Sequence, residues 1–134
     1  MTLALDTSGL LGRYLSGPHR SVVIETMAAD PDWCASSLVL AEALGMVDRV
    51  CDLPSDSNRV RRALRDDWER VHVVPLDQRC LDRAAELSRQ QPLRTVDALH
   101  LAAADRLPRP VTYLTFDPRQ IPVAMSLGFQ VAST

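Results

Sequence analysis

The sequence predicts an α/β fold: a three-layer α/β/α sandwich around a mostly parallel sheet of about five strands. Three observations carry that expectation. Short apolar runs alternate with helical patterns along the whole chain. Parallel strands need crossovers, and crossover helices cover both sheet faces, which suits strands that are apolar throughout. With 134 residues, 46% hydrophobic and 24% charged, the chain has the length for one core and none of the composition of disorder or low complexity. Residues 1–134 are expected to form a single domain, without linker or internal repeat.

Leu3-Ala4-Leu5 reads as a buried first strand ending at Asp6, and Thr7 and Ser8 stand where they can cap a helix beginning near Gly9. Ser21 to Ala29 is helical in pattern until Pro31, and Trp33 to Ser36 follows as a second strand. Leu38, Leu40, Ala41, Leu44 and Val47 recur at helical spacing, which predicts a long helix from Leu38 to Val50. Pro54 to Ser57 form a loop and cap before a charged helix through Trp68, and Val71 to Val74 is a third strand closed by Pro75. Gln78 to Gln91 is helical, with Leu81, Ala84, Ala85 and Leu87 on or near one face and Pro92 just past its end. Thr95 is the expected cap of an apolar helix from Val96 to about Arg106. Pro108 and Pro110 set off a fourth strand, Val111 to Thr115, which runs into Phe116-Asp117. A short helix around Val123 to Leu127 stops at Gly128, and Phe129 to Ala132 is the last strand.

All 15 basic residues are arginine, and there is no lysine. That excludes a Walker A phosphate loop, whose lysine reaches the nucleotide phosphates, and Schiff-base chemistry, which needs a side-chain amine. Gly9 and Gly12 form no GxGxxG fingerprint. Cys34, Cys51 and Cys80 are odd in number and lack a CxxC pair, so they are expected to be reduced and mostly buried. A net charge of −2 argues against a domain that coats nucleic acid nonspecifically, yet it does not exclude a nuclease, because an acidic metal site lowers the total. No apolar run approaches a bilayer-spanning length, and Asp6 interrupts the stretch where a signal peptide would be apolar. The expected address is cytoplasmic, with no membrane contact.

Asp6 and Asp117 fall at the carboxyl ends of the first and fourth strands, where open parallel sheets place their sites. Glu42 lies between Ala41 and Ala43 on an apolar helix, and Asp97 lies inside Val96-Asp97-Ala98-Leu99. Buried carboxylates must be paired, protonated or bound to metal. Each acid has a local explanation: Asp6 as a helix cap, Glu42 paired with an arginine, Asp97 in a first helical turn, Asp117 starting a turn before Pro118. Four acids in such settings are better explained together, as one cluster. Oxygen donors of this kind suit hard divalent cations such as Mg²⁺ or Mn²⁺.

Leu5-Asp6-Thr7-Ser8, Ser36 to Glu42, Thr95 to Ala104 and Thr115-Phe116-Asp117, in this order, resemble the PIN-domain ribonucleases, specifically the VapC-type toxins of bacterial toxin–antitoxin pairs. The resemblance spans nearly the whole chain. It implies a PIN-like fold and a metal-dependent endoribonuclease with Asp6, Glu42, Asp97 and Asp117 as its acidic quartet. Asp6, Asp97 and Asp117 would hold Mg²⁺ or Mn²⁺, Glu42 would ligate it or position the attacking water, and Ser8 and Thr115 would be polar supports. It further implies a structured RNA substrate such as tRNA or a ribosomal RNA loop, a cognate antitoxin protein, and a homodimer.

Arg94 and Arg119, close in sequence to Asp97 and Asp117, are candidates for RNA phosphate contacts. Arg59, Arg61, Arg62, Arg65 and Arg70 are better read as a solvated face paired with Asp66, Asp67 and Glu69. His100 reads as a hydrogen-bonded helix histidine rather than a zinc ligand, and Trp33 and Trp68 as core or interface. Two other function classes fit the same topology. One is a catalytically silent PIN-like module that binds RNA or protein. The other is an aspartyl-phosphate enzyme or receiver domain phosphorylated at Asp6, disfavoured because those proteins normally place a lysine beside the phosphate.

Overall fold

A computed structural model describes residues 1–133. Its strands are β1 (Thr2–Leu5), β2 (Trp33–Ser36), β3 (His72–Val74), β4 (Val111–Leu114) and β5 (Gln130–Ala132). They form one sheet in the order β3-β2-β1-β4-β5, and every neighbouring pair is parallel. The helices are α1 (Thr7–Leu11), α2 (Arg20–Ala29), α3 (Leu38–Val50), α4 (Pro54–Trp68), α5 (Gln78–Gln90), α6 (Thr95–Asp105) and α7 (Ile121–Ser126).

Side-chain alternation along β1 separates two cores. Leu3 and Leu5 pack with Leu10, Met27, Val39, Val47 and Leu64 from α1 to α4. Ala4 points the other way, into a cluster with Ala84, Leu87, Leu101, Val123 and Ala124 from α5, α6 and α7. The three-layer α/β/α sandwich follows directly. The chain first builds outward from β1 to β3, then returns to lay β4 on the other side of β1. Connections therefore diverge between β1 and β4, leaving a crevice outside their carboxyl ends.

Helix α6 is apolar on all sides because it is enclosed on all sides: every residue from Asp97 to Ala104 is buried. Helix α5 is amphipathic, but its buried line is Cys80, Ala84 and Leu87, while Leu81 is 45% exposed and Ala85 also faces outward. The apolar face is thus rotated from the one expected, because Cys80 seats against Val74 and Ala103.

The caps differ from expectation in three places. Asp6, rather than Thr7 or Ser8, caps α1 by accepting from the Gly9 amide. Thr95 is the first residue inside α6, with Arg94 at the cap position. Pro54 already opens α4, where a proline's missing N–H costs nothing. The α4 arginines also pair differently. Arg59 meets Asp56, Arg61 reaches across to Asp48 of α3, and the Arg70 guanidinium lies 4.0 Å over the Trp33 ring. Asp67 belongs to Arg13 and Tyr14 instead. Trp33 is core, and Trp68 packs partly buried against the same cluster. Cys34 and Cys80 are buried, Cys51 is half-buried, and all three are free. No helix among the described residues is long and apolar enough to cross a membrane.

Candidate active site

The crevice is built from the end of β1 outward. Asp6 leaves the strand with extended backbone and turns immediately into α1, so its carboxylate is held at the helix start. Oδ1 accepts from the Gly9 amide at 2.7 Å and from the Ser8 hydroxyl at 2.9 Å. Oδ2 accepts from Thr115 Oγ1 at 2.6 Å. Ser8 Oγ in turn accepts from the Phe116 amide at 3.2 Å, and Thr115 Oγ1 from the Asp117 amide at 3.1 Å. The two hydroxyls therefore tie the end of β1 to the segment after β4. Gly9 is required there by crowding: a Cβ at this position would press into the Leu114 carbonyl oxygen and stand 3.1 Å from Asp6 Oδ1.

Asp97 enters from the first turn of α6 and is 2% exposed. Arg94 forks onto it, with Nε 2.8 Å from Oδ2 and Nη2 3.0 Å from Oδ1. This bidentate pair makes Arg94 a carboxylate partner, although 57% of its side chain remains open to solvent. Asp117 is half-buried at the mouth of the crevice, and the Arg119 guanidinium lies 3.7 Å away with 57% exposure.

Glu42 rises from α3 on the opposite wall. Thr7 Oγ1 donates to its Oε1, and His100 Nε2 lies 3.0 Å from the same oxygen. An ionised carboxylate only accepts, so His100 presents an N–H from Nε2 to Glu42, while its Nδ1 lies 2.8 Å from Ser36 Oγ. His100 is hydrogen-bonded, as read from sequence. It also belongs to the site wall, which its spacing alone did not indicate.

The residue that sequence reasoning missed is Gln120, 2% exposed. Its Nε2 stands 3.2 Å from Asp6 Oδ2, 3.0 Å from Asp97 Oδ1 and 3.4 Å from Asp117 Oδ2. Its Oε1 accepts from the Tyr113 hydroxyl at 2.7 Å. The only hint in the sequence was a polar side chain one helical turn after Asp117. Around these groups lies a cleft of about 100 Å³, lined by all four acids with Thr7, Ser8, Arg94, His100 and Gln120. A larger groove, about 490 Å³, lies at the amino ends of the strands among Met1, Leu3, Asp30 and Thr112, away from the four acids.

Burial pushes the Asp6 carboxyl above the ordinary carboxylate range, against the pull of its Thr115, Gly9 and Ser8 hydrogen bonds. Glu42 moves the other way: its hydrogen bond with His100, aided by Thr7, outweighs partial burial and lowers it. The Tyr113 phenol is raised well above its usual value by burial, and then by the negative charge of Asp6, Asp97, Asp117 and Glu42. The site thus carries a negative field answered by the Arg94 guanidinium on Asp97, the more exposed Arg119 beside Asp117, and the Gln120 amide. Oxygen-only donors facing a common point fit a hard divalent cation in kind. Among the described residues no three His, Cys, Asp or Glu side chains are already gathered at metal-holding geometry.

The PIN domain family model matches residues 3–124, and the chain belongs to that family. A curated relative, named Ribonuclease VapC47, of Mycobacterium tuberculosis (strain CDC 1551 / Oshkosh), is 29% identical over 134 residues, covering 96% of this chain and 94% of the relative. Two solved structures share the fold. Mycobacterium tuberculosis VapC20, described as a sarcin–ricin-loop-cleaving toxin, superposes with a TM-score of 0.73 at 18% identity, over 91% of this chain and 95% of its own. A DNA-bound VapBC of Salmonella typhimurium gives 0.72 at 18% identity, over 99% and 98% of the two chains.

Proposed function

We propose that this PIN-domain protein is a metal-dependent endoribonuclease of the VapC toxin type, acting in the cytoplasm and neutralised by a cognate antitoxin. The observation that carries the reading is the convergence of Asp6, Asp97 and Asp117 on one point, with Glu42 across the cleft, at the divergence between β1 and β4. The ribonuclease name of the curated relative, the toxin description of VapC20 and the VapBC name of the Salmonella typhimurium structure support it. Asp6, Asp97 and Asp117 would hold Mg²⁺ or Mn²⁺. When bound, the cation supplies an activated water and neutralises charge on the scissile phosphate.

The chain's own groups define the remaining roles. Glu42, kept ionised by His100 and Thr7, is placed to orient the attacking water and accept its proton. Ser8 and Thr115 hold Asp6 in one rotamer. Arg119, exposed beside Asp117, is the better placed of the two arginines for an RNA phosphate, since Arg94 is committed to Asp97. The substrate class is structured RNA, with tRNA and ribosomal RNA loops the leading candidates, and the working form is a homodimer.

Purified protein incubated with total cellular RNA and Mg²⁺ or Mn²⁺ tests the reading. Discrete fragments are expected, lost in EDTA and in Asp6→Asn. Cleavage by Asp6→Asn at the wild-type rate would overturn the assignment, and absence of both cleavage and metal binding would favour a silent binding module.

A further inference from the structure

Gln120 is fully enclosed, so its amide must be satisfied inside the protein. Only one orientation does this: the reverse one would turn Oε1, an acceptor, against three carboxylates that also only accept. Tyr113, 0% exposed and donating to Oε1, therefore aims the NH₂ group at the acids. That group has two hydrogens for three carboxylate oxygens. Its distances of 3.2, 3.0 and 3.4 Å all exceed the roughly 2.7–2.9 Å of a good charge-assisted bond. The nitrogen is shared among the acids rather than bonded well to any one of them.

A divalent cation such as Mg²⁺ draws carboxylate oxygens to about 2.0–2.1 Å. The point on which these three acids converge is held by Gln120 Nε2, and cation and amide cannot share it. We propose that Gln120 is a positioning residue acting as an internal placeholder: its amide holds Asp6, Asp97 and Asp117 together in the metal-free protein and is displaced when the cation enters. This rests on the metal-site reading above and adds to it a specific resident of the site. The two N–H dipoles reduce repulsion among like charges that burial would otherwise intensify. They also weaken cation binding, because the cation must replace them.

Removing the amide should therefore have opposite effects on the two states. Gln120→Met keeps the length and loses the donors. Tyr113→Phe keeps Gln120 but loses the hydroxyl that aims it. Wild type and both variants are titrated with Mn²⁺ by calorimetry, and their thermal unfolding is followed with EDTA and with Mn²⁺. Gln120→Met is expected to unfold at lower temperature than wild type in EDTA, yet to bind Mn²⁺ roughly 3- to 10-fold more tightly, the weight of about one net hydrogen bond. By linkage its Mn²⁺-induced rise in Tm should exceed that of wild type. Tyr113→Phe should shift both quantities in the same direction by less, and it decides the matter should Gln120→Met fail to fold. A merely structural glutamine would lower Tm equally with and without Mn²⁺ and leave Kd unchanged. That result, or weaker Mn²⁺ binding by the variants, overturns the placeholder. Absence of Mn²⁺ binding in wild type is a separate outcome, which overturns the metal site itself.

Discussion

Asp67 and Asp97 are both carboxylates in closely packed surroundings, and the company each keeps is different. Asp67 on α4 accepts from Arg13 Nε at 3.0 Å and from the Tyr14 hydroxyl at 2.7 Å, one acid against one cation and one hydroxyl. Asp105 is similar, taking Arg83 at 2.9 Å and Arg109 at 2.6 Å. Around Asp97 the proportions reverse: Asp6, Asp117 and Glu42 line the same cleft, and among the described residues two guanidinium groups answer four acids, Arg94 forked onto Asp97 and the exposed Arg119 3.7 Å from Asp117. Acids that brace a fold come with matching cations. The cleft acids are held largely by neutral donors such as Ser8, Thr7, Thr115 and Gln120, which fix position without cancelling charge, as the proposed chemistry requires.

The sharpest way to break this comparison is to neutralise one acid of each kind. Asp97→Asn is expected to lower RNA cleavage by more than about 100-fold, beyond the range typical of outer partners of a metal site. Asp67→Asn should leave cleavage within about twofold and instead reduce stability by about 2 kcal/mol in urea denaturation, the weight of hydrogen bonds to a charged group. Equal loss of cleavage in both would remove the distinction.

Gly9→Ala probes the frame that holds Asp6. With a methyl group driven into the Leu114 carbonyl, the end of β4 or the start of α1 must shift. A loss of about 1–3 kcal/mol is expected by calorimetry, together with reduced cleavage, because the Gly9 amide is a direct partner of Asp6. Arg119→Glu should act chiefly on substrate. KM for RNA should rise severalfold, with a smaller fall in kcat from the lost 3.7 Å pairing with Asp117, and the slope of log affinity against log salt should fall by about one contact, while Arg62→Glu on α4 changes neither.

The smallest effect expected is in the acid limb of the stability profile. Glu42 has a lowered pKa when folded, so the stability it contributes is complete above its ordinary value of 4.5 and is lost as pH falls through the folded one. Glu42→Gln should flatten that part of the curve. Asp6 has the opposite sign: with its pKa raised, folding favours its protonated form, and that contribution fades as pH climbs above the ordinary carboxylate range. Urea midpoints across the acid range, for wild type and Glu42→Gln, measure the difference.

Much of this architecture was legible because the local signals agree. Leu3 to Leu5, Trp33 to Ser36 and the run from Val111 are short and apolar, as strands buried on both faces must be. The helix of Leu38 to Val50 was readable from spacing alone. The four acids stood out because a carboxylate beside Ala41 and Ala43, or inside Val96 to Leu99, contradicts its surroundings. Other features left no such contradiction. Leu81 and Cys80 are both plausible core residues on α5, and only packing against Val74 and Ala103 selects Cys80. The pairings of the α4 charges were equally illegible, since Arg61 answers to Asp48 on the preceding helix and Asp67 to Arg13, 54 residues earlier.

By itself the sequence determined the order of elements, the parallel sheet and the unusual acids, because periodicity and the cost of burying charge are local properties of residues. Tertiary structure alone decided that Gln120 stands among Asp6, Asp97 and Asp117, that Tyr113 aims it, and that His100 joins Glu42 to Ser36. A neutral polar side chain carries no mark of its burial. Whether it faces water or three carboxylates depends on where β1 meets α6 and β4, which lie about a hundred residues further along the chain.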